Sequence, residues 1–199
     1  MSVLVIATRN PHKLAEIRAL FPFPGLTLRS ALDYPDIPEV VEDGATLEAN
    51  AIKKAVTLAQ GTGSPALADD TGLEVEALNG APGVYSARYA GEHADYMANN
   101  HKLLKALEGQ PNRQARFRCV IALAQPSGQA EYVEGICTGT IALAPRGNNG
   151  FGYDPLFVPE SETRTFAELS SNEKHACSHR GRALRAAAER WGGLWAGNT

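Results

Sequence analysis

Four short stretches of the sequence gather groups that could handle a phosphorylated ligand. The first is Thr8-x-Asn10-x-x-Lys13, which follows an apolar run and leads into a helical pattern behind Pro11. Asn is a favoured N-cap and Pro a favoured first helical residue. A hydroxyl, an amide and an ammonium therefore gather where free backbone N–H groups attract phosphate. An asparagine cap beside a solvated lysine would read the same way.

The second stretch supplies acids. Glu42 lies just before another helical pattern, and Asp69-Asp70 closes a short apolar run ahead of Thr71-Gly72. Such oxygen ligands suit Mg2+, which takes one or two carboxylates together with substrate phosphate and water. Adjacent like charges repel unless a cation or a proton relieves them. Asp70 and Glu42 are candidate metal ligands with Asp69 beside them, and Asp70 is also a candidate base for an attacking water. A solvent-exposed turn is the alternative reading of these acids.

The third is the loop Gly150-Phe151-Gly152-Tyr153-Asp154-Pro155. Its glycines let backbone lie close to a ligand, and an aromatic face can carry a base. Stacking is worth about 1–3 kcal/mol per base but tolerates any base, so discrimination needs hydrogen bonds. Phe151 in a packed turn is the competing reading. The fourth stretch is Lys174 with Ser178-His179-Arg180-Gly181, where Ser178 can cap a final helix. A His/Arg pair of donors suits the 6-keto oxygen of hypoxanthine or xanthine and would face the amino group of adenine with more donors. A surface His/Arg pair is the plain alternative.

Other chemistries are disfavoured. No HExxH, GxGxxG or GxxxxGK[ST] spacing occurs, and Ser86 stands in Tyr85-Ser86-Ala87-Arg88, a poor setting for a nucleophile. Arg88 reads as structural or interfacial. The formal net charge of −3 comes without a Lys/Arg run, which argues against nucleic-acid or anionic-membrane binding. The three cysteines, Cys119, Cys137 and Cys177, form no CxxC pair and read as reduced thiols. With no signal-peptide pattern and no membrane-length apolar run, the expected location is cytoplasmic.

These side chains need elements to hold them. The pattern predicts a strand over 2–7, a helix from Asn10-Pro11 ended by 21–25, and a strand over 26–29. A loop over 33–44 leads to a helix from Thr46 to Gln60 that Gly61 stops. Brief strands over 65–68 and 72–78 flank the aspartates, and a turn follows at 79–83. A helix over 94–107, a hairpin of strands 115–124 and 131–143, a loop over 148–152 and a helix over 178–191 complete the chain, with fraying expected at its end. Alternating helices and strands indicate an α/β protein, and 199 residues suit a single domain of two lobes.

In this order the motifs resemble the inosine triphosphate pyrophosphatase family, the Ham1-like non-canonical purine NTP pyrophosphatases. The matching segments are ATRNPHK at 7–13, EDGATLEANAIKKA at 42–55, the stretch 66–91, GFGYDPLF at 150–157 and SHRGRAL at 178–184. The resemblance implies a two-lobed fold with a long central mixed sheet flanked by helices, a cleft between lobes and a homodimer. It implies that Thr8, Arg9, Asn10 and Lys13 bind the triphosphate, with Lys13 counted beside Asp70 as catalytic. Glu42, Asp69 and Asp70 would serve Mg2+, with Thr71 next to the substrate. Phe151, Gly152, Tyr153, Asp154, Lys174, His179 and Arg180 would line the nucleobase and sugar. The implied reaction converts ITP, dITP or XTP to monophosphate and pyrophosphate, cleansing the nucleotide pool.

Two departures stand out: DDTG where DDSG is common, and Asn149 where a second glycine is frequent, a place whose left-handed backbone Asn tolerates. Two rivals remain. A nucleotide sensor would not need so many acids facing phosphate, and a pyrimidine-directed pyrophosphatase would not need His179 and Arg180.

Overall fold

The computed structural model describes residues 2–21, 25–92 and 95–195. It is an α/β protein built on a mixed sheet, as the alternation of elements predicts. Strand β1 (Ser2–Ile6) pairs in parallel with β2 (Leu26–Ser30) and with β3 (Ala66–Val75). The sheet continues through β5 (Gln114–Ala124), β6 (Ala130–Ile141) and β7 (Phe157–Pro159), in the order β2-β1-β3-β5-β6-β7. The short β4 (Pro82–Gly83) lies antiparallel on β3, and β7 lies antiparallel on β6.

The chain divides into two compact units. Unit 1 comprises Met1–Asp70, Cys119–Gly135 and Arg182–Thr199; unit 2 comprises Thr71–Arg118 and Ile136–Gly181. Each has its own core. In unit 1, Leu4, Ile6 and Leu67 pack with Leu14 and Ile17 of helix α1 (Pro11–Leu20) and with Leu184, Ala187 and Trp191 of helix α5 (His179–Trp191). In unit 2, Leu73 and Val75 pack with Leu103 of helix α3 (Tyr96–Ala106), Phe117, Ile141, Phe157 and Phe166. Among the described residues, no helix is long and apolar enough to cross a membrane. The three cysteines are not joined in disulfides, and Cys119 and Cys137 are buried.

Local chemistry accounts for most boundaries. Asn10 accepts from the amides of His12 (2.9 Å) and Lys13 (3.3 Å), capping α1 with Pro11 at its first position. Thr46 caps helix α2 (Leu47–Thr62) by accepting from Ala49 N at 3.2 Å. The hairpin turn closes through Gly128 N–H to Gln125 O at 2.9 Å. Residues 22–24 of the expected helix stop, Ala94 of the expected third helix and the expected fraying over 196–199 lie outside the described residues.

The structure corrects the sequence reading at several points. The two strands expected around the aspartates are one continuous β3, so Asp69 and Asp70 lie inside a strand. Ala66, Leu67 and Ala68 before them and Leu73 and Val75 after them are all buried, which anchors the strand on both sides of the polar pair. Helix α2 runs past Gly61 and ends at Gly63, which is left-handed at φ +65°. Gly61 serves packing instead, since a Cβ there would lie 2.8 Å from Ile37 Cδ1. The expected left-handed Asn149 is absent: among the described residues the only non-glycine at positive φ is Asn79. Asn149 holds its loop by hydrogen bonds, Nδ2 to Leu169 O and N to Ala167 O, both 3.0 Å.

A short helix, α4 (Ser171–Cys177), precedes α5 and had no place in the sequence reading. Seven residues cannot sustain a helix by propensity alone, so its ends carry it. Ser170 and Glu173 form a reciprocal capping box, and Arg164 adds an ion pair to Glu173 at 3.0 Å. Hydrogen bonds from Ser170, side chain first and then backbone, hold the Glu173 carboxyl down at about 2, with Arg164 contributing. The depressed value means the box stabilises the fold fully above the unfolded pKa of 4.5 and loses that contribution as pH falls toward 2. Glu173→Gln should therefore lower Tm at neutral pH, and the gap to wild type should narrow as pH drops below 4.5. An unchanged gap down to pH ~3 would mean the box does not act through the ionised carboxylate.

Candidate active site

The adjacent aspartates of β3 do not face one another. Successive side chains of a strand point to opposite faces, so each aspartate meets a different helix. Asp69, on the same face as Leu67, forms an ion pair with Lys13 of α1 at 3.2 Å. Asp70, on the other face, meets Lys54 of α2, whose Nζ lies 3.2 Å from Asp70 Oδ1 and 2.8 Å from Glu42 Oε1. The like-charge repulsion read from the sequence is thus relieved by two lysines, one per face.

This cluster lies wholly within unit 1. Burial, the largest influence, raises the pKa of Asp70, and Glu42 and Asp69 push it the same way against Lys54 and Lys13. Burial alone would draw the Lys54 ammonium down. The carboxylates of Asp70, Glu42 and Asp69 together outweigh it and raise its pKa. Three carboxylates against two ammonium groups leave these five side chains with a net charge of minus one. Asp70 Oδ2 is buried and has no hydrogen-bond partner.

Among the described residues there is no cluster of three or more His, Cys, Asp or Glu side chains arranged to cage a metal. Glu42 and Asp70 already converge on one cation, the Lys54 ammonium, and Asp70 keeps an oxygen in reserve.

The remaining residues of the first stretch sit close by. Thr8 Oγ1 accepts from Asn10 N at 3.2 Å, which shapes the turn into α1. Arg9 reaches elsewhere, donating to Ile37 O at 2.9 Å, so it braces the loop after β2.

Unit 2 carries a second cluster. Gly150 and Gly152 take positive φ, and a Cβ on Gly150 would collide with the Asp154 carboxylate. Asp154 Oδ2 accepts from Phe151 N (2.8 Å) and from Lys174 Nζ of α4 (2.6 Å), a buried pair. The Lys174 ammonium lies 4.9 Å from the Phe151 ring centroid and the Arg180 guanidinium 5.6 Å from it. Cations over a ring face are attracted by its quadrupole, which holds Phe151 beside both donors. Arg180 also donates to Thr71 Oγ1 at 3.1 Å, and Thr71 follows Asp70 directly on β3. His179 is buried and stacked on Phe117, with centroids 4.4 Å apart.

Ser178 accepts from Gly181 N at 3.1 Å, the expected cap of α5. Gly181 permits α4 and α5 to meet, since a Cβ there would collide with His175 O. Tyr153 differs from its expected place. It is buried in the core of unit 2 and its hydroxyl donates to Ser86 O at 2.9 Å, so its side chain packs the loop from beneath. Burial raises the pKa of that hydroxyl. Ser86 itself is structural, donating to Gly83 O (2.6 Å) and accepting from Leu73 N (2.8 Å).

Two participants escaped the sequence reading. Lys54 lies on the buried face of α2 with Leu47, Ala51, Ala55 and Leu58. A lysine at a core position of a helical pattern was the available signal, and the neighbouring Lys53 masked it. Asn100 of α3 donates from Nδ2 to Gly152 O at 3.0 Å and steadies the aromatic loop. That contact joins residues 52 apart in sequence, and no local pattern reports it.

One cluster is thus suited to a metal and a polyanion, the other to an aromatic base with acceptor atoms, which together describe a nucleotide-handling protein. The Ham1 family matches residues 4–190. The dITP/XTP pyrophosphatase of Syntrophobacter fumaroxidans is 59% identical over 184 residues, covering 92% of this chain and 79% of that protein. The dITP/XTP pyrophosphatase of Geobacter sulfurreducens is 55% identical over 186 residues, covering 92% and 94%. Among solved structures, a HAM1 protein from Coxiella burnetii superposes with a TM-score of 0.90 at 43% identity, covering 97% of this chain and all of that one. The chain belongs to the Ham1 family.

Proposed function

We propose that the chain is a nucleoside triphosphate pyrophosphatase that converts ITP, dITP and XTP to the monophosphate and pyrophosphate, removing non-canonical purines from the nucleotide pool. Relatives named dITP/XTP pyrophosphatase match it over nine-tenths of its length. The observation that carries the mechanistic reading is the convergence of Glu42 and Asp70 on one cation, with Asp70 Oδ2 buried and unbonded.

In this reading Glu42 and Asp70 hold Mg2+, with Asp69 behind them, and the ion when bound neutralises charge on the departing pyrophosphate. Thr8, Asn10, Lys13 and the N-terminus of α1 hold the triphosphate, and Arg9 secures the adjoining loop. Asp70 accepts a proton from the water that attacks the α-phosphorus, as the α–β anhydride bond breaks and pyrophosphate leaves. A carboxylate whose proton affinity is raised by burial is a better acceptor than an exposed one. Phe151 carries the base, with Gly152 and Asp154 shaping the loop and Tyr153 packing it. Lys174, His179 and Arg180, with Thr71, present donors to the 6-keto edge. Adenine would meet those donors with an amino group, leaving them unpaired. Following the family resemblance, we read the protein as a cytoplasmic homodimer.

Pyrophosphate release from ITP, dITP, XTP, GTP and ATP, with Mg2+ and with EDTA, tests the proposal. Metal-dependent release from ITP, dITP and XTP with little from ATP supports it, and GTP, which shares their 6-keto group, reports whether the 2-position is read as well. Tight ITP binding without release would instead indicate a sensor, and equal turnover of ATP would remove the 6-keto argument. In labelled water the label should enter the monophosphate.

A further inference from the structure

Helix α2 grips the acidic loop ahead of it at every residue from Val41 to Gly44. Lys53 Nζ donates to Val41 O (2.9 Å) and to Asp43 Oδ1 (2.6 Å). Lys54 Nζ donates to Glu42 Oε1 (2.8 Å), and the Gly44 amide donates to Asn50 Oδ1 (2.8 Å). These four contacts differ in kind. The Lys53–Asp43 pair is exposed, so water and salt screen it. Asn50 is 1% exposed, and its bond to Gly44 is shielded from competition by water.

Asn50 occupies a position on the buried face of α2, between Leu47 and Ala51 and one turn before Lys54. An apolar side chain would suit that face but would leave the Gly44 amide without its acceptor. The carboxamide does not come free, because its buried Nδ2 has no hydrogen-bond partner. Gly44 matches it: a Cβ at that position would lie 2.6 Å from Asn50 Oδ1 and 3.0 Å from Ala49 Cβ. The backbone can approach the amide only as glycine.

We propose that Asn50 is a positioning residue for Glu42: its bond to the Gly44 amide staples the loop to α2 and sets the reach of the Glu42 carboxylate toward Asp70. Residues 50 and 54, one helical turn apart, then hold the two ends of a three-residue span, Glu42 by its side chain and Gly44 by its backbone. The inference rests on the reading of Glu42 as a metal carboxylate.

Divalent-ion affinity is the readout, measured as Mn2+ binding to the nucleotide-free protein by electron paramagnetic resonance and as the half-saturating Mg2+ for pyrophosphate release. Loss of a group that orients a ligand commonly weakens metal binding 10–100-fold, so Asn50→Ala should weaken it about 10-fold or more. Gly44→Ala, which leaves Asn50 in place, should weaken it similarly. The double variant should be no weaker than either single one, because both break the same bond. Asn50→Asp keeps the acceptor and should bind at least as tightly as wild type. Lys53→Ala should stay within about two-fold, as expected for a screened pair.

Wild-type affinity in Gly44→Ala, or additive losses in the double variant, would overturn the staple, and Gly44→Ala decides the matter if Asn50→Ala does not fold. Glu42→Gln separates the two layers. If it leaves Mn2+ binding intact, the metal reading of Glu42 is wrong and the staple falls with it. If it weakens binding while Gly44→Ala and Asn50→Ala do not, only the staple fails.

Discussion

Asp70→Asn is expected to lower kcat for dITP by about 10^2–10^4, the range typical of removing a general base, while the protein stays folded. Asn is isosteric and its Oδ1 can still accept from Lys54, so the packing of β3 against α2 survives. The change in stability has a definite sign. The folded-state pKa of Asp70 is raised by burial, so the folded protein holds that proton more tightly than the unfolded chain. Stability is then lost as pH rises from the unfolded value of 3.8 toward the folded one, and below 3.8 the effect vanishes. Replacing the carboxylate by a neutral amide removes this cost. In EDTA at neutral pH the variant should melt no lower than wild type. An active Asp70→Asn enzyme would remove the proton-accepting role, and a markedly lower Tm would show that the ionised pair with Lys54 stabilises the fold.

Lys174→Met should produce the largest loss of stability. Lys174 and Asp154 are 7% and 4% exposed at their side chains and lie 2.6 Å apart. Removing one partner of a buried pair strands the other charge and costs about 3–5 kcal/mol. For a chain of 199 residues each kcal/mol is worth roughly 2–4 °C, so Tm should fall by about 6–20 °C. KM for dITP should rise as well, because the same carboxylate anchors Phe151 N and the lysine lies over the Phe151 ring. The double variant Lys174→Met/Asp154→Asn separates these effects. It removes the stranded charge but restores no cation, so stability should return in large part while KM stays high. Full recovery of both would show that Lys174 acts only as a counter-ion to Asp154.

Much of this site could be read along the chain because its parts are local. The Asn10 cap, the Thr46 cap, the Ser178 cap and the glycines around Phe151 all act within a few residues, where residue type dictates backbone conformation. The same locality made Thr8, Lys13, Glu42, Asp70, Lys174 and Arg180 visible as candidates. Charge and composition reported a net charge of −3 with no Lys/Arg run.

Partnerships were a matter for the tertiary structure. Two adjacent aspartates look like one acidic site, but strand alternation sends Asp69 to Lys13 and Asp70 to Lys54 on different helices. Lys54, Asn50 and Asn100 carry no local signature because each acts on a segment at least six residues away, and in the last case 52. Tyr153 shows the converse, an aromatic in a binding loop whose hydroxyl is claimed by Ser86, 67 residues distant. Residue types, acting over one or two turns, determined which chemistry was available. Only the packing of β3 between its helices decided which lysine neutralises each buried carboxylate and left Asp70 an oxygen for a metal or a proton.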